Sequence, residues 1–348
     1  MKGRLDFTPE QEFLFWAIQE EEQLPGHLAG FLRHDAAWES LRVGAGRHGI
    51  LPLVFRRLKA VDQLVPAREM ARFRDLYLAI AGNNLAREMK LLSLMELLAS
   101  RGVESLVFKG PALALEAYGD SSLRQYVDLD ILIRRTDFRT AYQAMVEAGY
   151  TPQYQVDGKI EQWLVRSAIE LEFEGKGGLQ VEIHWDICER SSRFDLGEEK
   201  VWEHSHSVVM HGREVRTLSP ADNLVMLWLH GFRHRWESLK LVADLLRMVR
   251  TCGEKDRNII LDACAKLPHP YRDRFMGDVE NPRGLATAVF FPRSYQNAVD
   301  RFKDLASEVF IPKPTDWLAV DLPDRLYPLY YLIRPIRLAL KYGGSLLR

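Results

Sequence analysis

Cysteine is scarce in this chain: Cys188, Cys252 and Cys264 are the only three among 348 residues. They are odd in number, far apart and never arranged as C-x-x-C, which excludes a disulfide framework or a cysteine zinc site and fits a reducing cytoplasm. An excess of one charge is also missing, since 47 Lys and Arg stand against 48 Asp and Glu for a formal net charge of -1. Without a global basic field, a nucleic-acid partner requires a local patch, and no clear one is read. Nowhere do about eighteen apolar residues run together, and Met1-Lys2-Gly3-Arg4-Leu5-Asp6 leads into a charged helix. Neither secretion nor a membrane span is expected.

What is present is the composition of a globular protein, 47 % hydrophobic and 27 % charged. The length suits two domains, or one catalytic core wrapped by helical additions. Thr8-Pro9-Glu10-Gln11 carries a capping box with proline at the first helical position, so the chain opens on a helix. A longer period from Ala67 to Ser100 sets Phe73, Leu76, Tyr77, Ile80, Leu91, Leu92, Met95 and Leu98 near one apolar face, interrupted by Gly82 and ended by Gly102. Such a stripe predicts core.

After Gly102 the texture alternates. Residues 103–108 read as a strand, Pro111 to Tyr118 as a helix, and Val127 to Ile133 as a second strand. Thr136 is expected to cap a helix that ends at Gly149. Ile169 to Phe173 and Val181 to Trp185 alternate around a glycine-rich turn, a β-hairpin pattern, and a short hairpin follows around His211-Gly212. Ser219-Pro220-Ala221-Asp222 opens a region that is helical to about Arg250 and, less regularly, to the end. The expected fold is α+β, a small mixed sheet at 102–217 between helical regions at 1–101 and 218–348.

In a strand, Asp128 and Asp130 project to one side, with Leu129, Ile131 and Ile133 on the other. Two such carboxylates repel unless a cation lies between them, and magnesium or manganese suits oxygen ligands. Glu182 and His184 share a face on the later strand. If the two strands are neighbours, three carboxylates converge, as two-metal phosphoryl chemistry requires, with Asp128, Asp130 and Glu182 as metal ligands and Glu182 also as acceptor of a proton. The bland alternatives are a solvated edge strand for the aspartates and an ordinary polar face for Glu182, beside Glu170, Glu172 and Glu174. Lys109-Gly110 lies where a strand meets a helix, a place that favours phosphate, and Arg124 offers a second cation. His184 either orients a carboxylate or packs.

The run from Phe108-Lys109-Gly110 through Tyr118-Gly119-Asp120, Leu123-Arg124 and Asp128-Leu129-Asp130 resembles the uncharacterised nucleotidyltransferase family of the DNA polymerase β-type superfamily. Val181-Glu182-Ile183-His184-Trp185, Leu218-Ser219-Pro220, His230, His234-Arg235-Trp236 and Asp244 continue the likeness over roughly residues 80 to 250. The resemblance implies a nucleotidyltransferase-type sheet, two divalent metals (Mg2+ or Mn2+) and an NTP such as ATP as donor, with the acceptor left open between a small molecule, a sugar and a peptide. A degenerate nucleotide-binding module, a phosphodiesterase and a sugar-nucleotide transferase are the alternatives. Two positions depart from the superfamily pattern: Pro111 stands where a phosphate-binding serine is usual and donates no N–H, and Val127 replaces a glycine before the acidic pair.

His230 and His234 lie four apart without an intervening glutamate, so a structural or substrate-contact role is expected in preference to zinc. The C-terminal segment from Tyr327 to Arg348 mixes cations with apolar residues and has no acid. It reads as a docked helix with snorkelling cations or as a contact for an anionic surface.

Overall fold

A computed structural model describes residues 7–19, 23–156, 160–161, 164–165, 168–187, 198–234, 236–256 and 259–260, together with 319–320, 322, 326 and 329–342. The chain divides into two units, residues 1–290 and 291–348. The first begins with α1 (Pro9–Ile18), where the Thr8 backbone N–H donates to Gln11 Oε1 at 2.9 Å and Gln11 N–H donates to Thr8 Oγ1 at 3.3 Å, the reciprocal cap expected from the sequence. Helices α2 (Gly26–Phe31), α3 (Asp35–Arg47) and α4 (Leu51–Ala60) follow, burying Phe13, Leu14, Trp38, Leu41 and Val54.

Helix α5 (Ala67–Ser100) is one continuous rod of 34 residues that Gly82 does not interrupt. Its burial differs from the expected stripe. Phe73, Leu91, Leu92 and Leu98 are buried, but Leu76 is exposed, and the polar Asn84 and Glu88 occupy the interior in its middle. These two side chains are buried because they have partners: Asn84 Nδ2 donates to the carbonyls of Ser121 and Arg124, and Tyr126 Oη donates to Glu88.

The sheet comprises β1 (Ser105–Phe108), β2 (Asp128–Ile133), β3 (Thr151–Pro152), β4 (Glu170–Glu174) and β5 (Gln180–His184), in the order β1-β2-β5-β4-β3. Strands β4 and β5 form the expected antiparallel hairpin, while β2 and β5 pair in parallel, so the sheet is mixed. One face carries Leu129, Ile131, Ile133, Leu171, Phe173, Val181 and Ile183 into a core with Leu91, Leu94 and Leu98 of α5 and Phe138, Ala141 and Met145 of α7 (Phe138–Glu147). Burial of that many large apolar side chains, at about 1.5–3 kcal/mol each, is the main force holding the sheet on its helices. Thr136 does not cap α7: it lies inside a 3-10 turn, Arg135–Asp137, which already bends the chain into the helix, and Asp137 takes the cap position without a side-chain bond.

Helix α6 (Gly110–Tyr118) joins β1 to the loop before β2. Beyond the sheet, α8 (Glu198–His204) precedes a hairpin of β6 (His206–Met210) and β7 (Arg213–Thr217), which turns at His211-Gly212. Helices α9 (Pro220–Arg233) and α10 (Leu239–Thr251) complete the described part of the first unit. Among the described cysteines Cys252 is free, while Cys188 and Cys264 lie outside the described residues.

In the second unit, α11 (Tyr330–Tyr342) contains Pro335. Leu332, Ile336 and Leu340 are exposed along one side, whereas Arg334 is buried, the reverse of a docked apolar face with snorkelling cations. Residues 343–348 lie outside the described part. No described helix is long and apolar enough to cross a membrane.

Candidate active site

The second face of the sheet is polar, and strand register decides which groups meet there. Parallel pairing sets Asp130 beside Glu182, and the hairpin sets Glu182 beside Glu172 and His184 beside Glu170. His184 Nε2 lies 3.2 Å from Asp130 Oδ1 and 3.1 Å from Glu182 Oε2, and its Nδ1 is 3.1 Å from Glu170 Oε2. The last pair is close enough for an ion pair but is not aligned as a hydrogen bond. Burial opposes charge on this imidazole, yet the bonds to Asp130 and Glu182 outweigh it and raise the pKa to about 9. At neutral pH His184 is therefore an imidazolium clasped by carboxylates.

Lys109 reaches the same place from the opposite edge, with Nζ 2.8 Å from Asp130 Oδ1. Its backbone has φ 54 and that of Gly110 φ 38, so the β1–α6 turn is held in a region that a lysine seldom adopts. Burial lowers the Lys109 pKa and Asp130 raises it, with a net rise. Burial alone would raise the pKa of Asp130, but the Lys109 charge and the His184 bond hold its carboxyl well below the usual range. Even so, Asp130 Oδ2 is buried and meets no hydrogen-bond donor among the described residues.

Ligand atoms of Asp130, Glu182 and His184 lie within 4.8 Å of one another, the one group of three or more potential metal ligands among the described residues. The carboxylates of Asp130 and Glu182 are oxygen ligands of the kind magnesium or manganese prefers, one Asp130 oxygen has no hydrogen-bond donor, and the protonated His184 stands beside them as a donor that positions them. The residues fit a divalent ion. Asp128 is not part of this close set, although it lines the cavity above it.

That cavity measures about 550 Å³. Lys109, Asp128, Glu170, Glu172 and Glu182 form its sheet side, with Asp130 and His184 directly beneath Lys109 and Glu182. Its helical side brings in His230 of α9, which the sequence had singled out, and groups that it had not: Arg47 at the end of α3, Gly49 just beyond it, Arg233 of α9, and Ser238 and Lys240 at the start of α10. His230 and His234 both line it, their ring centroids 4.4 Å apart. Burial, reinforced by Lys109, depresses the His230 pKa to about 2, so this ring is neutral. The sequence reading gave this pair a structural or substrate-contact role, and the structure places both rings on the cavity wall.

Arg124 is elsewhere. It is 6 % exposed and grips Asp244 through two bonds of 2.9 Å, with a third contact of 3.4 Å to the Gly110 carbonyl. Expected to face phosphate directly, it instead ties α10 to the turn that carries Lys109. Gly110 is likewise outside the cavity lining. Pro111 is buried in the first turn of α6, and Val127 is exposed at the cavity rim.

Comparison with solved structures finds similar chains. One is the lincosamide antibiotic adenylyltransferase LnuA with lincomycin bound, at 14 % identity and TM-score 0.34 over 47 % of this chain and 97 % of that one. Another is the antibiotic-resistance factor ANT(2'')-Ia in solution, at 14 % identity and TM-score 0.39 over 56 % and 95 %. A third is an antigenic nucleotidyltransferase-like protein from Paracoccidioides brasiliensis, at 14 % identity and TM-score 0.33 over 55 % and 91 %. No curated protein sequence matches the chain. Residues 34–268 match the family described as uncharacterised nucleotidyltransferase, and over so much of its length the chain belongs to that family.

Proposed function

We propose that this nucleotidyltransferase moves a nucleoside monophosphate from an NTP to a hydroxyl or phosphate of a small molecule, sugar or peptide, and releases pyrophosphate. The observation that carries the reading is the convergence of Asp130, Glu182 and His184 beneath the cavity, with one Asp130 oxygen left unsatisfied. In this reading Asp130 and Glu182 hold a divalent ion, and Asp128 joins them from the cavity wall. When bound, the ion supplies positive charge to the phosphates and favours the ionised acceptor.

The chain's own groups have separate tasks. His184 fixes the relative position of the Asp130 and Glu182 carboxylates. Glu182, the more accessible of the two, accepts the proton that the acceptor hydroxyl loses. A bond forms between the acceptor oxygen and the α-phosphorus as the α–β bridge breaks, and the electron pair leaves with pyrophosphate. Lys109 sits beside the α-phosphate position and compensates charge there.

The test is transfer of label from an NTP, screened over all four bases against small-molecule and peptide acceptors, with Mg2+ or Mn2+ and with chelator. Activity should require the ion and should fall at least about a thousandfold in the Asp128→Ala, Asp130→Ala double variant. Retention of wild-type activity by that variant would remove the site assignment. A nucleotide-binding module without turnover is the second reading, favoured by Lys109 and His184 already compensating Asp130. Calorimetric binding of NTP with no product in any acceptor screen would select it.

A further inference from the structure

The cations that the sequence offered to the triphosphate are both engaged by protein carboxylates, Lys109 by Asp130 and Arg124 by Asp244. A different cation faces the cavity. Lys240 stands in the first turn of α10 and lines the cavity together with Asp128 and Glu182, and no acid or other acceptor meets its ammonium among the described residues. We propose that Lys240 is an anion-binding residue of the cavity and that its ligand is the outer phosphates of the NTP donor. This assignment rests on the nucleotidyl-transfer reading for its choice of ligand.

Several features place this lysine against the interest of the empty fold. A cation at the beginning of a helix opposes the helix dipole. Burial lowers its pKa and the Arg124 charge lowers it further, with Asp244, Asp128 and Asp130 compensating only in part. A lysine with nothing to bind would relieve these costs by extending into water, but the fold holds it in place. Its backbone N–H is shared between Ser238 Oγ and the His48 carbonyl, both at 3.2 Å, and the Ser238 hydroxyl donates to the same carbonyl at 2.7 Å. Its stem packs over Gly49, where a Cβ would lie 3.4 Å from Lys240 Cδ. With φ +66 and no side chain, Gly49 leaves that path open.

The ligand follows from the arrangement. The carboxylate wall, with its ion, takes the reacting phosphate, and the charge that leaves with pyrophosphate must then be met from another direction. Lys240 comes to the cavity from α10, outside the sheet, and shares its helical lining with Arg47, His230 and Arg233. An ammonium there gains most from a polyphosphate, less from a single phosphate and nothing from a base or ribose.

The experiment measures binding of ATP, AMP and inorganic tripolyphosphate to the full chain with magnesium, for wild type, Lys240→Met and Lys240→Arg. Lys240→Met should weaken ATP and tripolyphosphate about tenfold or more, leave AMP within about twofold, and melt no lower than wild type, while Lys240→Arg keeps most of the affinity. Equal ATP and tripolyphosphate affinities in wild type and Lys240→Met would overturn the proposal, and so would equal weakening of AMP. If Lys240→Met failed to fold, a comparison of Lys240→Gln with Lys240→Arg would decide by the same criteria. Failure of the wild type to bind any NTP would sink the donor reading itself. The tripolyphosphate arm would then decide the anion site alone, with Lys240-dependent binding supporting it and its absence overturning it.

Discussion

Asp244 illustrates how much one carboxylate can organise. Its two oxygens take the Arg124 guanidinium, and Oδ1 also takes the Tyr118 hydroxyl at 2.6 Å, all in the interior. Asp244→Ala leaves a buried guanidinium without its counter-charge and should cost about 3–5 kcal/mol in denaturant unfolding, with a smaller loss for Asp244→Asn. The sequence motif led to Arg124 but not to its use, because the partner is 120 residues away and a lone arginine before an acidic strand reads as a phosphate ligand. Strand alternation, a local rule, put Asp128 and Asp130 on one face and Glu182 with His184 on the polar face of a later strand, whereas the meeting of Asp130 with Glu182 depended on a pairing that no local rule gives. Lys240 was not legible, since a lysine in a helical pattern reads as a solvated face. A second residue-scale prediction concerns His48, buried near the cavity, whose pKa burial and Arg47 lower from 6.5 to about 4. A histidine depressed in the folded state lends stability that is full above pH 6.5 and is lost as pH falls toward 4. About 2 kcal/mol should disappear across that window, and His48→Gln should flatten this part of the stability profile measured by unfolding at stepped pH.

At the scale of elements, α5 does more than cover the sheet. Through Asn84 it holds the carbonyls of Ser121 and Arg124, and Arg87 Nε donates to the Val127 carbonyl at 3.2 Å, so the chain entering β2 is pinned along much of its length. Asn84→Leu keeps the volume but abandons two carbonyls, and should destabilise by about 1–3 kcal/mol, read from the denaturation midpoint. The α1 cap and the β4–β5 hairpin were visible in the sequence since their signals lie within a few residues. The burial of Asn84 and Glu88 was not, because a hydrophobic period assigns polar positions to water unless a distant partner is known. Strand order was invisible for the same reason: nothing local states that β2 pairs with β5.

For the molecule as a whole, the cavity draws most of its acids, Asp128, Glu170, Glu172 and Glu182, from the sheet and most of its cations, Arg47, Arg233 and Lys240, from the helices, with Lys109 and Glu237 the exceptions. Its lining draws on α3, the sheet, α9 and α10, so residues from all three sequence regions, 1–101, 102–217 and 218–348, meet in one place. The net charge of -1 concealed this division, since a near-zero total says nothing about how opposite charges are partitioned across a cleft. Family membership was legible from the ordered motifs, whereas the helical wall was not, because its residues are brought together only by tertiary packing. The parallel pairing of β2 with β5 carries one more consequence. It joins Asp130 to Glu182 across a long excursion of chain, and closing a loop of that length costs about 3–4 kcal/mol of chain entropy. The ladder and the apolar core beneath it meet that cost during folding. An ion bound there, as proposed, would therefore meet the Asp130 and Glu182 oxygens already assembled, and its binding energy would not be spent on gathering the chain.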